Sequence, residues 1–361
     1  MNGLTTTFQY NGFGRIIKII TPQNHEIIKS LNWNSQPQTY QGIYYSYDQI
    51  PGRPDNWLYY DRNGRLLKSV TDGFQYQINQ INEYYSDGSL YRTSLPYFSY
   101  ETPRWTTYEY DDFGRATEVN SNGLISTITY QGHSIETVDP SGRHKVTILN
   151  GLGKPIQVTE DNSPTITYDY NSFWGISSIS TTGNIISYFY DQFGFQDSTY
   201  NPYSGGVKYI YNAFGELVSQ KDAKNQSVIF NYDVLGRVVT TASPEGITSY
   251  FYYTDGNGIR QLSGISSPGN VSESYSYDTL GRLETFSKSI QNQIQMNYSF
   301  GYDTYGNNIS MTYPTGLEII NVYDNNGYLT EIKKPDGYSI WKLNNLRATG
   351  MPSNYTLGYN T

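Results

Sequence analysis

Along this chain, short runs of residues that favour a pleated surface are cut by clusters that break one. Leu329–Lys333 (LTEIK) and Val238–Ala242 (VVTTA) are representative runs. Tyr, Val, Ile, Thr and Phe favour such surfaces, and Gly, Asn, Asp and Pro divide them into short pieces. No run of 18 apolar residues occurs, so the pattern contains no membrane span. It predicts an all-β chain of many short strands joined by tight turns.

The breaks follow a rule. Tyr, then Asp or Asn, two free residues and Gly occurs nine times, against about half a match expected by chance at this composition. The copies are Tyr10 with Gly14, Tyr60-Asp61 with Gly64, Tyr110-Asp111 with Gly114, and Tyr190-Asp191 with Gly194. Then follow Tyr211 with Gly215, Tyr232-Asp233 with Gly236, Tyr277-Asp278 with Gly281, Tyr302-Asp303 with Gly306, and Tyr323-Asp324 with Gly327. YNSFWG at Tyr170 reads as a copy with one inserted residue, and LNGLGK at Leu149 keeps the frame without the Tyr. Starts at 149, 170, 190, 211 and 232 are spaced by 20 or 21 residues.

A second break recurs twelve residues after the Tyr, at Pro22, Pro244, Pro314 and Pro335, with DAKNQ in the same place after Tyr211. Each repeat therefore contains two turns and reads as a β-hairpin. Asp or Asn opening a type I turn accepts from N–H groups two and three residues on. Gly three residues after the Asp takes a left-handed conformation and ends the turn in a bulge. The Tyr closes the incoming strand, with its ring over a neighbouring hairpin. About ten hairpins, roughly twenty strands, are expected, forming an antiparallel ribbon. Residues 36–100 and 250–276 break the cadence and read as irregular or divergent repeats. No linker divides the chain, so 1–361 reads as one array.

Composition narrows the function. The 39 Tyr, 34 Gly and 15 Pro in 361 residues exclude a disordered or helical chain. A net charge of −8 argues against nucleic-acid binding, which needs basic patches. The absence of cysteine excludes disulfides and thiolate sites. The N-terminus lacks the regions of a signal peptide.

These motifs resemble the YD repeats of the Rhs family, which includes bacterial polymorphic toxins, the C component of insecticidal toxin complexes and animal teneurins. The resemblance covers nearly all the chain, most clearly 103–340. It implies a hairpin ribbon that curves or spirals as part of a hollow β-shell, and a scaffold role instead of an enzymatic one. It also implies partners: further shell segments of the same chain or of a companion subunit, and an enclosed C-terminal toxin domain. A bacterial protein secreted or displayed through a secretion system is implied too, with the chain expected to continue beyond residue 361. In the family the shell ends in a self-cleavage motif containing DPxG. Asp139-Pro140-Ser141-Gly142 spells it, but mid-array, where it reads as an ordinary turn.

No residue stands out as catalytic, cofactor-binding or metal-binding. His25, His133 and His144 fall in or near turns without ligand spacing, and no GxSxG is present. NGLGKP at Asn150 lacks the length of a phosphate loop. Isolated Asp-x-x-Gly turns at Asp61, Asp111, Asp191, Asp233, Asp278, Asp303 and Asp324 lack the ligand density of a calcium loop. The aromatic surplus leaves an alternative, a glycan-binding or adhesive module. Such modules lean on Trp, and Trp33, Trp57, Trp105, Trp174 and Trp341 hold no constant place in the repeat.

Overall fold

The computed structural model describes residues 4–35, 40, 42–291 and 293–358. Among the described residues are thirty-three strands and no helix. The fold is all-β and antiparallel, as the spacing of turn residues predicts. The strand count exceeds the expected twenty because the irregular stretches are also strands. Tyr44–Gln49 and Asn56–Tyr60 pair within 36–100. Leu124–Gln131 and Ser134–Val138 pair around a turn that carries no motif. In 250–276 the cadence is broken by one enlarged turn, closed where the Tyr253 amide donates to the Gln261 carbonyl (2.9 Å).

The chain divides into two compact units, Met1–Tyr108 with Tyr252–Ser263 and Glu273–Thr361, and Glu109–Phe251 with Gly264–Ser272. The second unit is the more regular. Its strands pair with their sequence neighbours, as Ser227–Tyr232 does with Val238–Ser243, and Val238–Ser243 with Gly246–Tyr252. Register slips by one residue at the motif Tyr, for instance between Asn231 and Tyr232. That slip is the bulge that a left-handed Gly produces on the return strand.

The buried side chains all lie in the first unit. They are Val70, Ile81, Phe98, Leu343 and Ala348, with the polar Asn79, Ser94, Thr106 and Asn307. One cause is visible at Asn307. In this unit two stretches of ribbon far apart in sequence lie side against side. Arg53 Nη1 donates to Asn307 Oδ1 (3.0 Å), Asn326 Nδ2 to the Gly73 carbonyl (3.2 Å), and the Tyr328 hydroxyl to the Asp72 carbonyl (3.2 Å). The ring of Tyr305 lies against Gly52 and meets His25 edge-on at 4.8 Å. A sheet seals its faces only where something covers them, and the irregular residues 50–75 cover the turns at 303–328.

Gly52 has φ +70°, and a methyl there would strike the Tyr305 ring. Gly236 has φ +74°, and only the flexible carboxylate of Glu216 faces its missing Cβ. Gly236→Ala should cost about 1–2 kcal/mol for the left-handed conformation alone. Gly52→Ala should cost at least about 1 kcal/mol more, from the clash. Urea unfolding midpoints compare the two; equal losses contradict the sideways packing.

Candidate functional site

The feature built most often is the turn itself. Counting the Tyr as the first position, the Asp or Asn is second, the Gly fifth and the commonest following residue, Arg, sixth. The second-position side chain fixes the loop. Asp111 Oδ1 accepts from the amides of Phe113 (2.9 Å) and Arg115 (3.0 Å). The same pair of bonds forms at Asp61, Asp191, Asp233, Asp278, Asp303 and Asp324, and at Asn11, Asn150, Asn171 and Asn212. The side chain thus reaches the amides two and four residues on, not two and three. The amide three residues on belongs to the Gly and donates to the backbone carbonyl of the second position, as Gly114 does to Asp111 (2.9 Å). Gly14, Gly64, Gly114, Gly194, Gly215, Gly236, Gly281, Gly306 and Gly327 all have φ between 74° and 90°.

Where the sixth residue is Arg, it closes the loop electrostatically. Arg65, Arg115, Arg143, Arg237 and Arg282 donate from Nε to the second carboxylate oxygen of Asp61, Asp111, Asp139, Asp233 and Asp278, at 2.7–2.8 Å. The DPSGR stretch at Asp139 is one of these turns. The Arg115 guanidinium holds the Asp111 carboxyl below the usual carboxylate range, and Arg237 does the same for Asp233. With N–H and guanidinium donors on both oxygens, these carboxylates are committed to the turn.

The sixth residue also reaches the next hairpin. The Arg115 guanidinium lies 4.1 Å from the centre of the Tyr130 ring, Arg282 4.5 Å from Tyr302, and Arg65 4.8 Å from Tyr84. Lys154 stands over Tyr170 at 5.3 Å, Phe195 stacks on Tyr211 at 5.2 Å, and the Tyr190 ring sits on Gly175. The hydroxyl of that next Tyr then donates to the carbonyl of the seventh residue. Tyr232 bonds Leu217 (2.7 Å), Tyr190 Ile176 (2.8 Å), Tyr302 Leu283 (2.9 Å) and Tyr323 Asn308 (3.1 Å). Tyr277 makes the equivalent bond to Leu262 across the enlarged turn (2.9 Å). These rings are half-buried. Tyr60 stacks on Tyr44 at 5.2 Å, Tyr110 ends the strand Trp105–Tyr110, and Tyr10, 57% exposed, ends the first hairpin strand.

Sequence reasoning misread one copy and missed two further repeat tyrosines. YNSFWG contains no insertion: Trp174 itself takes the left-handed seat (φ 63°), its amide donating to the Asn171 carbonyl (3.0 Å), and Gly175 is the sixth residue. A bulky residue at positive φ is rare, so the frame was read around the Gly. In YYSDG the repeat tyrosine is Tyr84, with Tyr85 in the Asp seat: the Tyr85 amide donates to the Ser89 carbonyl (2.9 Å), and the Tyr84 hydroxyl to the Leu66 carbonyl (2.9 Å). Tyr130 makes the same bond to Ala116 (3.1 Å) although no Asp follows it.

Tyr232→Phe removes one hydroxyl bond and should cost about 0.5–1.5 kcal/mol in a urea titration; no loss contradicts the role given to the hydroxyl. A second test uses pH. The Tyr47 hydroxyl, donating to Asp55 Oδ2 (2.5 Å), is pushed up to about 12 by that bond. Burial and the Glu273 carboxylate push Tyr275 up to about 12 as well. A raised tyrosine favours the fold fully below the ordinary value near 10, and that contribution is lost as pH rises toward 12. An ultraviolet tyrosinate titration of the folded chain should show absorbance still growing above pH 11, and stability falling over the same interval. Complete titration near 10 contradicts both placements.

Comparison with known proteins agrees with this geometry. The family described as RHS Repeat matches residues 211–248, which hold two consecutive motif turns. No curated protein matches the chain. A crystal structure of TcdB2-TccC3 without its hypervariable C-terminal region superposes with a TM-score of 0.76 at 13% identity, over 97% of this chain and 27% of that one. Crystal structures of TcdB2-TccC3-TEV and TcdB2-TccC3-Cdc42 give TM-scores of 0.52 and 0.51 at 16% and 11% identity. They cover 93% and 97% of this chain and 22% and 30% of theirs. The chain therefore spans between about a fifth and a third of the length of these neighbours. Residues 211–248 are an RHS repeat by sequence, and the chain that carries them has the fold seen in TcdB2-TccC3.

Proposed function

We propose that this chain is a wall segment of an Rhs/YD-repeat shell, a scaffold that helps to encapsulate a C-terminal toxin or effector domain of a longer parent polypeptide. The observation that carries this reading is the fold match to TcdB2-TccC3 across nearly the whole chain. The repeated turn supports it. Each hairpin is tied to the next by its own sixth residue and the following Tyr, so the ribbon lengthens by addition, without a growing core. Its partners in this reading are further ribbon segments of the same or a companion chain, and the enclosed domain. Delivery is to the outside of a bacterial cell by a secretion system. The chain performs no chemistry of its own.

Glycan binding is the second reading, and Trp33, 78% exposed beside Tyr44, is the residue that favours it. The repeat tyrosines speak less for it, because their hydroxyls are used in the ribbon.

Limited proteolysis of the parent polypeptide tests encapsulation. The downstream domain should resist a protease that digests it readily when produced alone, and lose that protection when Gly52→Ala loosens the wall. Equal cleavage of the enclosed and isolated domain contradicts the shell reading. Binding of the chain to a glycan array, abolished by Trp33→Ala, would replace it with the adhesive one.

A further inference from the structure

The turns are of two kinds, and the difference marks where the ribbon is touched from the side. In the first unit the turns at Asp303 and Asp324 carry Asn307 and Tyr328 in place of the sixth-position Arg. Both are seated against another stretch of ribbon. Asn307 keeps the bond to its own Asp303 (2.9 Å) while its Oδ1 accepts from Arg53, and Tyr328 reaches the Asp72 carbonyl. The fourth-position residues take part in the same contact: Tyr305, still 48% exposed, lies against Gly52 and His25, and Asn326 bonds Gly73. An Arg that closes its own turn brings a charge that opposes burial against such a neighbour.

The second unit contains four successive turns without the Arg, with Lys154, Gly175, Phe195 and Glu216 in its place. Their tips are large, apolar and uncovered. Leu152 is 58% exposed, Phe173 62%, Trp174 51%, Phe193 75% and Phe214 89%. The three charges beside them are hydrogen-bonded: Lys154 Nζ donates to the Trp174 carbonyl (2.5 Å), Glu216 accepts from Asn212 Nδ2 (2.6 Å), and Asp191 accepts from the amides of Phe193 and Phe195. Successive tips are two strands apart, so the row runs for about 30 Å. These side chains expose on the order of 600 Å² of apolar surface. That reaches the upper end for a patch on a monomer, about 300–600 Å². It is also most of the ~800 Å² per partner of a stable interface.

We infer that this row of tips, from Leu152 to Phe214, is a docking edge for a second copy of this chain, row against row about a two-fold axis. The occupant follows from two observations. The Arg-less turns at Asp303 and Asp324 dock on another stretch of this chain's own ribbon. The row is mostly apolar, and its exposed area approaches what one partner contributes to a stable isologous interface. The inference concerns association in solution, so it stands or falls separately from encapsulation.

Sedimentation equilibrium of the full chain between about 1 and 100 µM tests it. A dimer is expected. Phe193→Ser with Phe214→Ser should weaken the dimer at least about 30-fold, since two large rings per copy lose their burial. Both positions are exposed, so circular dichroism should be unchanged. Phe113→Ser, on an equally exposed tip that has its Arg, should leave association unchanged. A monomer throughout the range overturns the inference. So does a dimer indifferent to the Phe193 and Phe214 changes, or one equally sensitive to Phe113→Ser.

Discussion

The contact between the sixth residue of one turn and the tyrosine ring of the next hairpin is what the ribbon depends on. A lone two-stranded hairpin is marginal in water, and a ribbon of them needs something to set each against its neighbour. Backbone ladders hold strands together but do not fix the angle at which the next turn is presented. Here the Asp holds the Arg, the Arg lies on the following Tyr, and that Tyr bonds the carbonyl just past the Arg. Three groups from two hairpins are thereby fixed at such a step. The chemistry tolerates substitution: Lys154, Phe195 and Gly175 meet the same ring by cation, by stacking and by bare backbone.

Such a device is local, and it explains how the second unit holds its register while the buried side chains sit in the first. Where stitches suffice, both faces of the sheet are left half-covered. Burial begins where ribbon meets ribbon sideways, around Gly52, Arg53 and Gly73. There the motif gives up its Arg. Asn307 and Tyr328 exchange an internal ion pair for lateral hydrogen bonds, a small change in sequence that alters what the turn can touch.

Fold class and turn positions were legible because Gly, Asp and Pro act through local backbone chemistry that needs no partner. The inter-hairpin bonds were not, since a hydroxyl's acceptor some fifteen residues away leaves no local mark. Tyr84, Tyr130 and Trp174 show the limit in three ways: a seat filled by the wrong residue type, a tyrosine without its Asp, and a tryptophan forced to positive φ. The function of the irregular residues 50–75 was invisible for a related reason. Their pattern is set by turns some 250 residues away, and only the folded chain brings the two together. The apolar fourth positions could be read letter by letter. Their exposure could not, because a Phe at a turn is as readily covered as bare.

The most direct test of the stitch is a double-mutant cycle on Arg115 and Tyr130, in the unit with no buried side chains to mask it. Arg115→Met and Tyr130→Leu are made singly and together, and unfolding is followed in urea. The account predicts a coupling of about 0.5–1 kcal/mol, the worth of a cation over an aromatic ring at a partly exposed site. Losses that add to within about 0.3 kcal/mol would show that the two hairpins are not joined through this pair.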